Sequence, residues 1–176
     1  MLGALPGVVS TKAGWLDKKE IVEVVFDPEV TAYTELLKAA RCVEKPSTAY
    51  LYDPQFVGEA RKIVGEDVAV TKQKPRDAKV SDQKYYLRKS AYHWLPLTEV
   101  QAVRLNAIFG KKQSKQDPRR WLAPSQLELL GAIEKLGAGR EALKKLSPAR
   151  SPNEFASYTA ALRRELAKLE ASKGRR

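Results

Sequence analysis

The sequence contains a single cysteine, Cys42, and a single histidine, His93, and these two counts limit the chemistry available to it. One cysteine excludes an internal disulfide and a multi-cysteine zinc site, and one histidine excludes a histidine-based metal cluster. We therefore expect no bound metal and no cofactor. Sparse cysteine is typical of a reducing compartment, so the default prediction is a cytoplasmic protein.

Cys42 directly follows residues 31–41, whose composition predicts a helix. The partial negative charge at the C-terminal end of a helix disfavours a thiolate, and the neighbouring Arg41 and Lys45 offset that effect only in part. This position favours a buried, inert thiol. The alternative is a recycling thiol, a role that depends on access to the sulfur.

Glu20 begins the segment 20–27, which is the strongest strand prediction in the chain because it is rich in β-branched residues. In a strand, Glu20 shares a face with Val22 and Val24, while Ile21 and Glu23 occupy the other face. A carboxylate in this position is either half-buried and functional, or exposed at the start of the strand.

Predicted elements around these residues alternate between strand and helix. We expect strands at 8–15, 20–27, 49–52 and 68–71, and helices at 31–41 and 54–64. The order ββαβαβ predicts an α+β two-layer sandwich. A hairpin followed by a helix and a strand is the tail of a ferredoxin-like βαββαβ unit, so we expect a ferredoxin-like arrangement that lacks its first strand and first helix. Residues 1–7 have the pattern of the last turn of such a helix.

Three segments within residues 5–55 carry a family resemblance: LPGVVSTKAGW, KKEIVEVVFDPEVTAYTELLKAA and YDPQ. Together they resemble the peptide-methionine sulfoxide reductase A family. The EVVFDP and YTELL portions are also similar to the tail of heavy-metal-associated domains, but STKAGW and the glutamate before IVEV favour the reductase.

The resemblance implies thiol-dependent reduction of oxidised methionine in peptides or proteins, with a thioredoxin-like reductant. In the family a thiolate attacks the sulfoxide sulfur and a glutamic acid donates a proton to the departing oxygen. Glu20 matches that acid, Trp15 stands where the family has a substrate-holding tyrosine, and Cys42 would be an assisting thiol. A second family tyrosine would fall near Lys45, where this sequence has none.

The family's Gly-Cys-Phe-Trp nucleophile motif has no match in this sequence. Two explanations stay open. Either an upstream segment supplies the strand, the helix and a nucleophilic cysteine or selenocysteine, or the protein is a degenerate, non-catalytic relative.

The second half of the sequence differs from the first in charge. Residues 1–70 contain 8 Lys and Arg against 11 Asp and Glu, whereas residues 71–176 contain 24 against 10. We divide the chain into an α+β domain (1–71), a linker with an aromatic and basic segment (72–97), and a helical extension (98–172). In the extension, Thr98 with Gln101 and Ser125 with Glu128 have capping-box spacing, which predicts helix starts at Thr98 and Ser125. An apolar stripe at helical spacing predicts a further helix and consists of Phe155, Tyr158, Leu162, Leu166 and Leu169. The alternative function is a non-catalytic module whose basic half holds RNA or an acidic protein partner. Nucleic acid is possible but not favoured, because no RNA-binding signature is present. We expect no membrane association, since no apolar run approaches the length of a membrane span.

Overall fold

A computed structural model describes residues 2–43, 48–110 and 116–173 of the chain. The chain divides into two compact units, which are described separately: unit 1 is Met1–Gln83 and unit 2 is Lys84–Arg176.

Unit 1 begins with an antiparallel hairpin of β1 (Val8–Leu16) and β2 (Lys19–Phe26). The connecting residues, Asp17 and Lys18, both have positive φ, at 48° and 64°. Two consecutive left-handed residues form the turn whose twist matches that of the paired strands. A short strand, β5 (Arg76–Asp77), pairs with the other edge of β1, so this sheet has the order β2-β1-β5.

The rest of unit 1 is a helical and parallel-strand layer. Helix α1 (Tyr33–Val43) leads to β3 (Ala49–Leu51), and helix α2 (Val57–Val64) leads from β3 to the parallel strand β4 (Val68–Val70). Apolar residues of both helices and both strands form the core here, with Leu37, Ala49, Leu51 and Ala60 buried at its centre.

The predicted ββαβαβ order and the mixed α and β composition are therefore confirmed. The described strands form two separate sheets, one antiparallel and one parallel, and a ferredoxin-like sandwich is not confirmed.

The segment 72–97 contributes to both units. Arg76–Asp77 forms β5, and the side chain of Gln83 hydrogen-bonds both backbone groups of Ala13 at 3.0 and 2.8 Å. Further along, three leucines of this segment are at most 1% exposed in the core of unit 2, namely Leu87, Leu95 and Leu97. Their burial explains why this part of the segment is structured.

Unit 2 consists of helices α3 (Tyr85–Arg88), α4 (Glu99–Gly110), α5 (Pro124–Lys135) and α6 (Phe155–Lys173), joined by 3-10 turns. The predicted capping box is present at α4, where Gln101 N–H donates to Thr98 Oγ1 at 3.2 Å and Thr98 N–H donates to Gln101 Oε1 at 3.0 Å. The prediction that Ser125 caps α5 is wrong. The helix begins at Pro124, and Ala123 N–H donates to the side chain of Gln126 instead.

Helix α6 docks on unit 2 through its predicted apolar stripe. Tyr158, Leu162 and Leu166 are buried, and Phe155 and Leu169 pack at the ends of the same stripe. Among the described helices, none combines the length and the apolar composition needed to cross a membrane.

Candidate functional site

Trp15 and Glu20 are directly opposite each other in the hairpin, one residue pair away from the turn. Opposed residues of an antiparallel pair project from the same face of the sheet. The indole and the carboxylate therefore lie side by side on one face of the hairpin. Glu20 is exposed and Trp15 is 40% exposed, so of the two alternatives for Glu20 the structure shows the solvent-exposed one.

Cys42 lies in the last turn of α1 and is exposed. The expectation that this thiol is buried is wrong. Cys42 falls on the same helical face as Glu35 and Lys38, which are also exposed, while Leu36 and Leu37 occupy the buried face. Its sulfur is accessible, as a recycling thiol would need.

The direction of the elements places Cys42 at the same end of unit 1 as the hairpin turn. Tyr33, at the start of α1, stacks on Phe26 at the end of β2, with ring centroids 6.4 Å apart. From there, helix α1 runs in the direction opposite to β2, so its C-terminal turn lies toward the N-terminal ends of β2 and β3. Within the described residues, no hydrogen bond or ion pair connects Cys42 to Trp15 or Glu20. Lys45, the other position named by the resemblance, lies outside the described residues.

Sequence reasoning missed a second carboxylate in unit 1. The hydroxyl of Tyr52 donates a hydrogen bond of 2.7 Å to Oε1 of Glu23. This bond holds the proton on the phenol and raises the pKa of Tyr52 to about 12. The two residues are 29 positions apart, and no local pattern could have paired them.

His93 and Arg150 form a partly buried polar cluster in unit 2. The Arg150 guanidinium donates to the backbone carbonyls of Leu95 at 2.9 Å and of His93 at 2.9 Å. Burial, followed by the positive charges of Arg150 and Arg88, lowers the pKa of His93 to about 4. His93 is therefore neutral near pH 7, and its backbone is tied into the fold.

Arg104 is the second residue that sequence reasoning missed. It lies in α4 with only 8% of its surface exposed, and its guanidinium carbon is 5.1 Å from the ring centroid of Trp121. Its Nε is buried and has no hydrogen-bond partner in the described part of the chain. Burial lowers the pKa of Arg104, and no carboxylate contributes to that shift. A buried cation whose pKa no carboxylate of the described residues raises is a candidate for binding an anion.

Comparisons with known proteins return no relative: no family model matches the chain, and no curated protein or solved structure matches it.

Proposed function

We propose that unit 1 is a methionine sulfoxide reductase A-like scaffold. In this proposal the exposed Glu20 becomes the proton donor when bound substrate covers it, Trp15 forms a wall of the methyl pocket, and Cys42 is the assisting thiol. The single observation that carries the proposal is the direct cross-strand pairing of Trp15 with Glu20. The accessibility of Cys42, at the same end of the unit, gives further support.

The proposal includes a ferredoxin-like arrangement without its first strand and helix. Its support is the connectivity of unit 1, in which an antiparallel hairpin, a crossover helix and a further strand follow one another as in the tail of that fold. The crossover helix α1 packs its buried Leu37 against β3.

We expect the chain by itself to reduce free methionine sulfoxide weakly or not at all. The resemblance places the attacking thiolate in a motif that this sequence does not match, and Cys42 lies in the last turn of α1, where the helix dipole disfavours a thiolate. Robust turnover with a thioredoxin system, abolished by Cys42→Ser, would contradict this expectation.

Recognition of the sulfoxide is tested separately from its reduction. A short peptide containing methionine sulfoxide is titrated into the protein while the indole N–H signals are followed by NMR. We expect a shift at Trp15 that exceeds the shift caused by the unoxidised peptide, and we expect Glu20→Gln to weaken it. Trp121→Ala is the matched control, because Trp121 is 39% exposed and Trp15 is 40% exposed. An indole signal of Trp15 that responds equally to both peptides would refute the proposal.

A second candidate function is single-stranded RNA binding by unit 2, and the environment of Arg104 favours it. Its guanidinium is buried against the half-exposed ring of Trp121, beside the exposed Arg120. An aromatic ring next to cations can stack a base while the cations hold phosphates. Unit 2 also has 20 Lys and Arg against 8 Asp and Glu.

The RNA-binding candidate is tested with a twelve-nucleotide oligouridine. We expect an affinity that falls steeply with salt, and a loss of about tenfold in Arg104→Gln. Arg164→Gln, at an exposed position of α6, removes the same charge and is the control. Equal losses in the two variants would assign any binding to diffuse charge and would refute a site at Arg104.

A further inference from the structure

Two side-chain bridges hold β2 and the segment 48–52 alongside each other. Nζ of Lys19 donates to Oγ1 of Thr48 at 2.8 Å, and the hydroxyl of Tyr52 donates to Oε1 of Glu23 at 2.7 Å. Both bridges join residues that are 29 positions apart. Because the offset is the same at both points, β2 and β3 run in the same direction.

The two strands are nevertheless not paired with each other, since β2 belongs to the antiparallel sheet and β3 to the parallel one. Strands that pair directly lie about 4.8 Å apart and are joined by backbone hydrogen bonds. Here lysine and tyrosine, two of the longest side chains, span the interval instead. We call this interval, bounded by residues 20–24 and 48–52, the strand gap.

The hairpin register determines which backbone groups of β2 face the strand gap. Leu16 and Lys19 flank a two-residue turn, and such a closing pair exchanges both of its backbone hydrogen bonds. Every second residue of β2 from Lys19 onward therefore bonds to β1, and in agreement Asp27 N–H donates to the Gly7 carbonyl at 2.8 Å. The N–H and C=O groups left pointing outward are those of Glu20, Val22 and Val24.

On the other side of the strand gap, β3 has an equivalent free edge. Ala49 N–H donates to Asp67 and the Leu51 carbonyl accepts from Thr71, both at 2.9 Å, so these two residues bond toward β4. The backbone groups of Tyr50, between them, point the other way. In the described part of the chain, no hydrogen bond uses the outward groups of Val22 or of Tyr50.

We propose that the strand gap binds one extended peptide segment of a partner protein, which pairs with β2 along one edge and with β3 along the other. The occupant must be a strand, because only an extended backbone presents N–H and C=O groups on two opposite edges at once. Val22, at the centre of the β2 edge, is 54% exposed, so the outer part of this edge is open. A long edge rich in β-branched residues is a template for such pairing.

The two faces of the strand gap determine which side chains the bound peptide can carry. Val22 and Val24 lie on the same face of β2 as Phe26, which contacts α1, so alternate residues of the occupant on that face are apolar. The two bridges close the opposite face, where the remaining side chains must be small. The partner segment therefore alternates apolar and small residues over about five positions.

The probe is an acetylated, amidated heptapeptide in which three valines alternate with two serines between terminal lysines, labelled with a fluorophore. We expect saturable binding by fluorescence polarisation, with slower amide exchange at Val22 and Tyr50. Two control peptides carry N-methyl groups, one at the valines and one at the serines, and each blocks a single edge of the strand. Insertion into the strand gap requires both edges, so both controls must fail to bind. Binding by either one would reduce the site to addition at a single edge and would overturn the proposal.

Variants of Val22 test the same point from the protein side. Val22→Pro removes one outward N–H and leaves the hydrogen bonds to β1 intact, so we expect about a tenfold loss of affinity. Val22→Thr keeps the N–H and should bind as the parent does. If Val22→Pro unfolds, the N-methylated peptides still test whether both edges are needed.

Absence of peptide binding at millimolar concentration, or self-association that protects Val22 and Tyr50 without the peptide, would overturn the choice of occupant. Peptide binding at the strand gap does not depend on reductase chemistry. The sulfoxide titration can therefore fail while peptide binding is observed, and peptide binding can fail while the sulfoxide titration succeeds.

Discussion

The two units differ in how completely they bury their elements. Among the described residues of unit 2, one continuous core contains sixteen buried residues, drawn from α3, α4, α5, α6 and the segments between them. The main core cluster of unit 1 contains four, and several valines of its hairpin are exposed. Buried apolar area is the main source of folding free energy, so we expect unit 2 to be the more stable unit and unit 1 to retain unsatisfied surface.

The difference extends to the polar groups. In unit 1 the residues capable of chemistry, Glu20 and Cys42, are exposed, and Trp15 is partly exposed. In unit 2 the notable polar groups are largely buried cations, Arg104 and Arg150. A surface with free backbone edges and exposed reactive groups is suited to binding other molecules. The buried cations of unit 2 can donate hydrogen bonds to backbone carbonyls of the core, or they can bind an incoming anion.

The largest effect is expected in the core of unit 2. Leu130→Ala removes a side chain that is 1% exposed, and we expect it to lower the free energy of unfolding by about 2–5 kcal/mol. Leu127→Ala makes the same change in the same helix at a position that is 39% exposed, and it should cost less than about 1 kcal/mol. Urea denaturation of both variants measures the difference. Equal losses would mean that α5 is not docked as described.

The corresponding change in unit 1 should cost less. Leu37 is 9% exposed and belongs to the small cluster, whose neighbours can relax into part of the space that Leu37→Ala leaves. We expect a loss of about 2 kcal/mol, at the low end of the range for this substitution. The measurement is hydrogen exchange of the α1 and β3 amides. A loss above that of Leu130→Ala would reverse the order of the two units.

Local patterns were sufficient to predict most elements of unit 1 and the helices α4 and α6 of unit 2. Alternating β-branched residues identified the hairpin, and helical spacing with an apolar face identified α1 and α6. The capping box at Thr98 was found because it depends on residues three positions apart. In each of these cases the stabilising contacts lie within one element or between neighbours in sequence.

The features that the sequence did not reveal depend on contacts between distant residues. Strand β5 has only two residues, and its place beside β1 depends on Gln83, whose side chain bonds Ala13 from 70 positions away. The Tyr52–Glu23 bridge and the cation–π contact of Arg104 likewise join separate elements. The exposure of Cys42 depends on which face of α1 packs, and counting residues to the helix end does not determine that face.

Acid should weaken unit 2 through His93. Its pKa is about 4 in the folded protein and about 6.5 in the unfolded chain, so between these values the unfolded state binds more protons. The free energy of unfolding therefore falls as the pH is lowered from 7 to 4, by about 1–2 kcal/mol after allowance for partial exposure. His93 is the only histidine, so the difference between the parent and His93→Gln isolates its contribution. If both proteins lose stability in parallel over this range, the assignment to His93 is wrong.

A smaller effect is expected at the start of α4. Thr98→Ala removes the oxygen that accepts from Gln101 N–H, and N-cap substitutions of this kind cost about 1 kcal/mol. Thr98→Ser keeps the hydroxyl and should retain most of the stability. Thermal unfolding followed by circular dichroism measures both variants. A Ser variant as unstable as the Ala variant would show that the methyl group, rather than the cap, stabilises this position.

The smallest effect on stability is expected at the Tyr52–Glu23 bridge, on the open side of unit 1. Glu23→Gln removes the carboxylate that holds the phenolic proton, so the pKa of Tyr52 should fall from about 12 toward its ordinary value near 10. A pKa raised by folding stabilises the protein below pH 10, and that contribution is lost as the pH rises toward 12. An alkaline NMR titration of the Tyr52 ring follows the change directly, with Glu29→Gln, which replaces an exposed glutamate beyond the end of β2, as the control. Unchanged titration in Glu23→Gln would mean that the bridge does not form in solution, and the Lys19–Thr48 bond would then be the one remaining side-chain bridge described between β2 and the segment 48–52.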